Sequence, residues 1–382
     1  MKMVVEWAEK ILANVFCFFF VVQILSPMVT GKTIYIDFLL AVFNPFFLLW
    51  ISKYRISMDY IVIILLLGFI GVLGHPMTSM KIVFTLIEVM YLFYIYDRRL
   101  WYIHYYIQIS ILVAAIQIYG LLFDPNISLL LSPENLSHMV WGAYATPTNS
   151  NFYALVEDGI PHVSGLSREA GFMASLLLAG IYIEYLFSKE GYWSTSKLAK
   201  VFYIIGYVIS FTKMSFLIAP VYIIHRLRGV INMMPLCFVF AFWIVGMMIY
   251  WSFNQNFLLD TGNITFLHRF GAYVSLWNLD TKELIFGVDN LTKIDSYVAH
   301  TIGGDYDFFA GFGGWLITNG LLSGMIYLLI LYRLHITGCG LLLLFLLTVN
   351  VQPDTNQNFV VLAYFILFKF YRRDRLLLQK KQ

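Results

Sequence analysis

Apolar runs close to the length of a membrane-spanning helix alternate with short polar segments along almost the whole chain. A helix needs about 20 apolar residues to cross the hydrocarbon core of a bilayer. On that measure we predict about twelve transmembrane helices and an all-α polytopic membrane protein, with residues 1–382 forming a single integral membrane domain. The predicted spans are residues 11–29, 34–51, 58–74, 82–96, 100–123, 170–187, 198–211, 214–225, 233–253, 314–332, 338–350 and 359–371.

The composition supports this prediction and excludes other classes of protein. Of the 382 residues, 60% are hydrophobic and only 12% are charged, whereas soluble domains carry roughly 25% charged residues. The net charge of +3 is small and the basic residues are spread over many loops, so nucleic acid is not an expected partner. The three cysteines lie in or beside apolar runs without metal-ligand spacing, so we predict no disulfide framework.

The distribution of basic residues predicts the topology, because cytoplasmic loops of membrane proteins are enriched in Lys and Arg. With the N-terminus inside, 18 of the 25 Lys and Arg residues fall on the cytoplasmic side, and both termini are predicted to be cytoplasmic. The first apolar run lacks a small-residue cleavage site and is expected to remain as a membrane anchor. The seven basic residues on the outer side are Lys32, Lys81, Arg168, Lys213, Arg269, Lys282 and Lys293.

Two long polar segments also face outward in this topology. They are residues 124–169 and residues 254–313, the second lying between the ninth and tenth predicted helices. Segment 254–313 mixes charged and aromatic residues, and its backbone polar groups need water or protein partners rather than lipid. We therefore predict that it is a loop that caps a site on the outer side of the membrane, with the helices beneath it as the floor.

The seventh and eighth predicted spans are too short to cross the bilayer comfortably. They contain about 14 and 12 residues, and a helix rises 1.5 Å per residue. We expect them to form a hairpin from the cytoplasmic side, whose tip carries Lys213 below the outer surface. A lysine at that depth must face water or an anion.

Three of the outward basic residues, Arg168, Lys213 and Arg269, each lie at the end of an apolar run. They can converge on one anion, and a diphosphate suits them because Arg binds phosphate bidentately while Lys acts as a point charge. The alternative is structural: each caps a helix end, reaches a lipid headgroup or pairs with a neighbouring acid.

Acid–base chemistry has several candidates on the outer side. Glu169 opens the sixth predicted span, where it is either a helix-capping group or a general base that also orients the basic residues. His162, His268 and His300 can each accept a proton near neutral pH, although a loop histidine is more often solvated or structural.

The remaining loop candidates are binding residues. Asp305 and Asp307 suggest calcium or sugar binding, but their spacing is not that of an EF-hand, so we predict no metal. Trp277 is expected to stack on a sugar ring or to anchor the loop at the membrane interface.

Glu88 lies inside the fourth predicted span and must face the interior of the helix bundle. We expect it to pair with His104, Gln108 or Gln117 on the next span. Coupling to transport is the alternative.

Four segments of the chain carry recognisable motifs. They read HVSGLSREAGF at 162–172, SFTKMS at 210–215, Arg269 with Trp277 and IFGV at 285–288, and GLLSG at 320–324. In this order and placement they resemble the bacterial O-antigen polymerases (Wzy), within the wider group of O-antigen polymerases and ligases. The resemblance covers roughly residues 160–332.

The chain departs from the family pattern at four positions. His162 and Lys213 stand where arginine is usual, Ala170 replaces a proline, and Asp289 replaces the second glycine of an F-G-x-G run. These departures affect the expected ligands of the diphosphate.

The resemblance implies glycosyl transfer with inversion, without a cofactor, a metal or a nucleotide sugar. The donor would be a glycan on undecaprenyl diphosphate, and the acceptor the terminal sugar of a lipid-linked repeat unit at the periplasmic face of the bacterial inner membrane. A polysaccharide chain-length regulator is an expected partner besides membrane lipid. By the same resemblance the base is Glu169 or a histidine such as His300. The residues that bind diphosphate and glycan would be Arg168, Lys213, Arg269, His162, Trp277, Asp305 and Asp307.

Two alternatives remain open. An O-antigen ligase would share the donor and the fold but usually carries a distinctive histidine in the large outer loop. A flippase or other transporter built from repeats would show two matching halves and short loops, and neither is evident in this sequence.

Overall fold

The computed structural model describes residues 2–54, 58–147, 162–191, 196–210, 212, 217–260, 269, 271–273, 275–276, 279–288 and 310–373. These residues are almost entirely helical, as predicted, with one short antiparallel hairpin of β1 (Met28–Val29) and β2 (Lys32–Thr33). The helices of the first half are α1 (Lys2–Val21), α2 (Ile36–Val42), α3 (Pro45–Ile51), α4 (Met58–Val72), α5 (Pro76–Asp97), α6 (Ile103–Phe123), α7 (Pro125–Leu130) and α8 (Pro133–Trp141).

The second half of the chain continues the bundle. Its helices are α9 (Ala170–Glu190), α10 (Lys197–Ile209), α11 (Ile218–Arg226), α12 (Arg228–Ile231), α13 (Leu236–Asp260), α14 (Thr281–Phe286), α15 (Gly311–Arg333), α16 (Gly338–Leu347) and α17 (Asn358–Phe370). Two 3₁₀ turns, Gln23–Leu25 and Gly142–Tyr144, complete the described elements.

Within the described residues, four helices are both long and apolar enough to cross a membrane: α5, α6, α9 and α15. Shorter apolar helices are α4, α16, α17 and residues Leu236–Tyr250 of α13. These helices indicate a membrane-embedded protein, as the hydrophobic pattern predicts.

The predicted span 34–51 is wrong as one continuous helix. It is divided into α2 and α3 because Asn44 caps α3 and Pro45 occupies its first turn. The Asn44 side chain accepts hydrogen bonds from the backbone N–H groups of Phe46 and Phe47 at 2.9 and 3.3 Å. A proline at the start of a helix lacks the N–H that would continue the preceding one, so the chain restarts there.

The predicted boundary of the large loop also differs from the structure. Helix α13 continues to Asp260, so residues 254–260 are helical rather than loop. No proline interrupts α13. Polar residues alone do not end a helix where it leaves the apolar layer of the membrane. Within 254–313 the chain also forms α14, which begins with a capping box between Asp280 and Glu283.

Helix α17 is the centre of the bundle. It packs against α5, α9 and α16, and every residue from Asn358 to Phe368 is buried. A helix that is apolar on all sides is stable only when surrounded by other helices.

Two of the glycine-containing motifs lie against each other. Helix α15 is kinked at Gly320, whose φ is +77°. Gly287, at the end of α14, approaches this kink, and the adjacent Val288 N–H donates to the Ile317 carbonyl at 3.0 Å. The His75 ring contacts the Phe286 carbonyl at 2.7 Å, which holds the end of α14 from the other side. The backbone of the cap is therefore fixed to a membrane helix at this point.

We expect Gly320→Ala to destabilise the protein. A Cβ at Gly320 would lie 2.3 Å from the Ile285 carbonyl oxygen and 2.5 Å from the Gly287 nitrogen, at a φ that only glycine adopts readily. The expected loss is about 1–3 kcal/mol, measured as a lower midpoint of thermal unfolding of the detergent-purified protein. Gly246→Ala on α13 is the matched control, because a Cβ there meets nothing within 4 Å. Equal midpoints for the two variants would contradict this account of the kink.

Candidate functional site

The segment that leads into α9 is held on α6 by side-chain hydrogen bonds. Gln117 binds both sides of Gly165, accepting from its N–H at 2.9 Å and donating to its carbonyl at 3.0 Å. The Leu166 N–H donates to the Ser110 hydroxyl at 3.0 Å. Gly165 has φ +54°, and a Cβ there would lie 2.5 Å from the Ser110 carbonyl oxygen. This attachment fixes where the next residues, Arg168 and Glu169, enter the site.

Arg168 extends from this segment to the hairpin and the start of α2. Its Nη2 donates to the Thr33 hydroxyl at 3.0 Å, and its guanidinium lies 5.9 Å from the centre of the Tyr35 ring. Its Nε is buried and makes no hydrogen bond to any described residue. The guanidinium is thus positioned by a hydroxyl and an aromatic face and retains donor capacity.

Glu169 is the N-cap residue of α9, as predicted, but its side chain does not cap the helix. Its carboxylate instead acts on Arg269, whose cationic form it stabilises. Burial lowers the pKa of Arg269 to about 10, and the charge of Glu169 opposes that shift. Arg269 therefore remains cationic at neutral pH. The structure brings together Glu169 and Arg269, two of the residues that the sequence assigned to one site.

Asn350 connects Arg269 to α9. Its side-chain oxygen accepts a short hydrogen bond from Arg269 Nη2. Its amide group donates to the Gly171 carbonyl at 3.0 Å and to the Ser175 hydroxyl at 2.6 Å. Asn350 thus orients the guanidinium over the beginning of α9, next to Glu169. The sequence analysis assigned Asn350 no role.

Asn350 belongs to a larger element that the sequence analysis did not identify, the polar segment 348–358 between α16 and the first residue of α17. It reads TVNVQPDTNQN. Most of its polar side chains are buried: Thr348, Asn350, Asp354, Asn356, Gln357 and Asn358. This run of amides and an acid between two apolar helices is visible in the sequence and could have indicated a buried polar element. Buried amides need hydrogen-bond partners inside the protein.

The partners of segment 348–358 come from several other elements of the chain. The Gln23 amide donates to the Asn356 carbonyl at 3.0 Å and accepts from the Asn358 N–H at 3.1 Å. The Gln357 amide donates to the Tyr35 hydroxyl at 3.2 Å. These bonds attach the segment to the end of α1 and to the region that holds Arg168.

The partner predicted for Glu88 is wrong. Its carboxylate accepts from the Asn356 amide at 3.5 Å, whereas the His104 ring lies 3.8 Å from the Glu184 carboxylate and Gln117 binds Gly165. Glu88 faces the bundle interior, as expected. Its hydrogen bond in the described residues goes to segment 348–358, which is folded into the bundle, rather than to a side chain of α6.

A second acid of the segment, Asp354, is paired. It lies 3.9 Å from Lys81, one of the predicted outward lysines, and is 2% exposed. Burial raises the pKa of Asp354, while Lys81 and a hydrogen bond from Thr78 oppose the rise. The Thr78 hydroxyl also contacts Asn319 at 2.7 Å. Segment 348–358 is thereby joined to α15 one residue before its kink.

The other predicted site residues are not tested by this geometry. Lys213, Trp277, His300, Asp305 and Asp307 lie outside the described residues, as does His268. His162 is half-buried in the segment before Arg168. In the described residues, the site therefore consists of Arg168, Glu169 and Arg269 arranged around segment 348–358.

This arrangement can bind an anion beside the carboxyl group of Glu169. Two guanidinium groups supply planar forks that match phosphate oxygens. Comparisons with protein-family models, with curated proteins and with solved structures found no match to this chain. The argument for function accordingly depends on the residues of the site.

We expect Asn350→Ala to destabilise the protein by about 1–3 kcal/mol, because it leaves buried polar groups of Ser175 and Arg269 without this partner. The measurement is the thermal unfolding midpoint of the purified protein. Asn126→Ala is the control, since exposed Asn126 bonds only within its own turn, to Asp124. An Asn350 variant as stable as the control would show that this bridge is not structurally important.

Proposed function

We propose that this protein is a membrane glycosyltransferase of the O-antigen polymerase type. It would transfer a glycan from undecaprenyl diphosphate to the terminal sugar of a lipid-linked repeat unit, at the periplasmic face of the bacterial inner membrane. The observation that carries the proposal is the electrostatic interaction between buried Arg269 and Glu169, which is the N-cap residue of α9 and directly follows Arg168 in the chain. Apolar helices beneath this contact would accommodate the lipid of the substrate.

In the proposed reaction the arginines stabilise the leaving group. The bond between the anomeric carbon and the diphosphate oxygen breaks, and undecaprenyl diphosphate leaves with the electron pair. Negative charge grows on the diphosphate, and Arg168 and Arg269 are the described groups that would neutralise it. Lys213, outside the described residues, is the third proposed cation.

Glu169 is the proposed base. It would take the proton of the acceptor hydroxyl while the new bond forms between that oxygen and the anomeric carbon. Its carboxyl group interacts electrostatically with the Arg269 guanidinium, so base and leaving-group cation would act side by side. No metal is needed in this scheme, because guanidinium groups supply the charge stabilisation. A polysaccharide chain-length regulator is the proposed protein partner.

Cation-coupled transport is a second candidate, and one observation favours it. Asp37 and Glu88 are both fully buried acids among apolar helices, and acids in such positions often serve ion or proton pathways. A flippase would move the same lipid-linked glycan without breaking its bond to the diphosphate. The two functions therefore differ in the product that accumulates.

Deleting the gene distinguishes these functions through the banding pattern of lipopolysaccharide on a gel. We expect lipopolysaccharide that carries a single repeat unit, because transfer to the lipid A core does not need polymerisation. Loss of every repeat would instead indicate a flippase or a ligase, and accumulation of lipid-linked polymer on the outer side would then identify the ligase. An unchanged ladder would refute all three functions.

Replacing Arg269 tests the site itself. We expect Arg269→Ala to abolish the polymer ladder while the protein stays in the membrane, because a cation that stabilises the leaving group is lost. Arg269→Lys should restore part of the polymer, since the charge remains without the bidentate fork. Arg333→Ala is the matched control: Arg333 is exposed and pairs with Asp59 at 3.7 Å, at the predicted cytoplasmic end of α15. A normal ladder from Arg269→Ala would remove Arg269 from the proposed site.

A further inference from the structure

Two buried carboxyl groups lie beneath Arg168, and the mechanism above does not use them. Asp37 is on α2 and Glu88 is on α5, two helices that pack together. Both side chains are 0% exposed. Two like charges in a water-poor interior are costly unless a compensating charge is present.

Neutral amides hold each acid on one side only. Gln23 donates to Asp37 Oδ2 at 3.4 Å, and Asn356 donates to Glu88 Oε2 at 3.5 Å. The Gln23 amide also donates to the backbone carbonyl of Asn356 at 3.0 Å, so the four residues form one chain of contacts from acid to acid. The second oxygen of each acid, Asp37 Oδ1 and Glu88 Oε1, is buried and has no hydrogen-bond partner among the described residues.

The charged and ionisable groups that act on this pair are few. Arg168 attracts the charge of Asp37. The Tyr35 hydroxyl interacts electrostatically with Arg168 and with both acids, Asp37 and Glu88. The third buried acid of this region, Asp354, is compensated separately by Lys81. Among the described residues, the pair thus has one nearby positive charge, Arg168, for two carboxylates.

We propose that Asp37 and Glu88 together bind one exchangeable proton, and that this proton sets the charge presented to Arg168. With the proton bound, the pair carries a single negative charge that Arg168 balances. Without it, the pair carries two negative charges, which hold the guanidinium more strongly and oppose an incoming anion. The effect of the proton on anion binding by Arg168 rests on the proposed function, in which Arg168 binds the diphosphate. The proton is held at Asp37 Oδ1 or Glu88 Oε1, the two oxygens without a hydrogen-bond partner among the described residues.

The two states differ in how Arg168 is engaged. A proton on the pair leaves the guanidinium bound mainly to Thr33 and the face of Tyr35, where it can also meet a phosphate. Loss of the proton would draw Arg168 toward Asp37. Anion binding, and with it transfer, is expected to weaken as the outer medium becomes alkaline.

Infrared spectroscopy of the purified full-length protein tests the proton directly. We expect wild-type protein at neutral pH to show the C=O stretch of a protonated carboxylic acid that shifts in heavy water. Glu88→Gln and the double variant Asp37→Asn/Glu88→Gln should lack that band, and both keep an oxygen that can accept the amide hydrogen bond. Asp354→Asn is the control and should retain the band, because Asp354 is paired with Lys81. A wild type without this band, or a band that survives the double variant, would overturn the proposal.

The polymer ladder tests the link to Arg168. In wild-type cells the amount of polymer should fall several-fold when the medium is changed from mildly acidic to mildly alkaline. In cells with Glu88→Gln, which fixes the pair at one negative charge, it should change much less. The same pH dependence in both strains would overturn the proposal that this proton controls anion binding by Arg168. If the protein proves not to be a polymerase, the infrared result still decides whether the proton is present.

Discussion

The hydrogen-bonding demand of segment 348–358 governs the arrangement of the outer half of this protein. Its amides and its acid are buried among apolar helices, where an unsatisfied polar group costs about 1–3 kcal/mol. The segment therefore needs hydrogen-bond partners from distant parts of the chain. It takes Gln23 from the end of α1, Glu88 from α5 and Arg269 from the cap, and it holds them in one network.

That network explains how the two guanidinium groups are held in place at the end of a helix bundle. Arg269 is oriented by Asn350, which in turn is fixed to α9 through Ser175. The Arg168 guanidinium lies over the Tyr35 ring, and the Tyr35 hydroxyl accepts a hydrogen bond from Gln357. Both guanidinium groups are therefore positioned by amides of the same segment. A site that stabilises a developing charge depends on such fixed donors, because no free energy is then spent on reorienting them during the reaction.

The kink of α15 couples the cap to the same region. Gly287 and Gly320 approach so closely that neither position has room for a side chain. One residue before the kink, Asn319 contacts Thr78, which also acts on Asp354. The cap, the kinked helix and segment 348–358 thus form one connected structure.

The sequence by itself predicted a helical membrane protein and selected the residues proposed for anion binding. Apolar runs must form helices in lipid because their backbone groups have no other partners, and the sparse outward cations selected Arg168 and Arg269. The tertiary structure alone decided which groups meet. The partner of Glu88, the role of Asn350 and the joining of Asp37 to Glu88 all depend on contacts between residues far apart in the chain. Helical periodicity shows which residues share a face, but it does not show which helix, or which buried polar segment, will lie opposite that face.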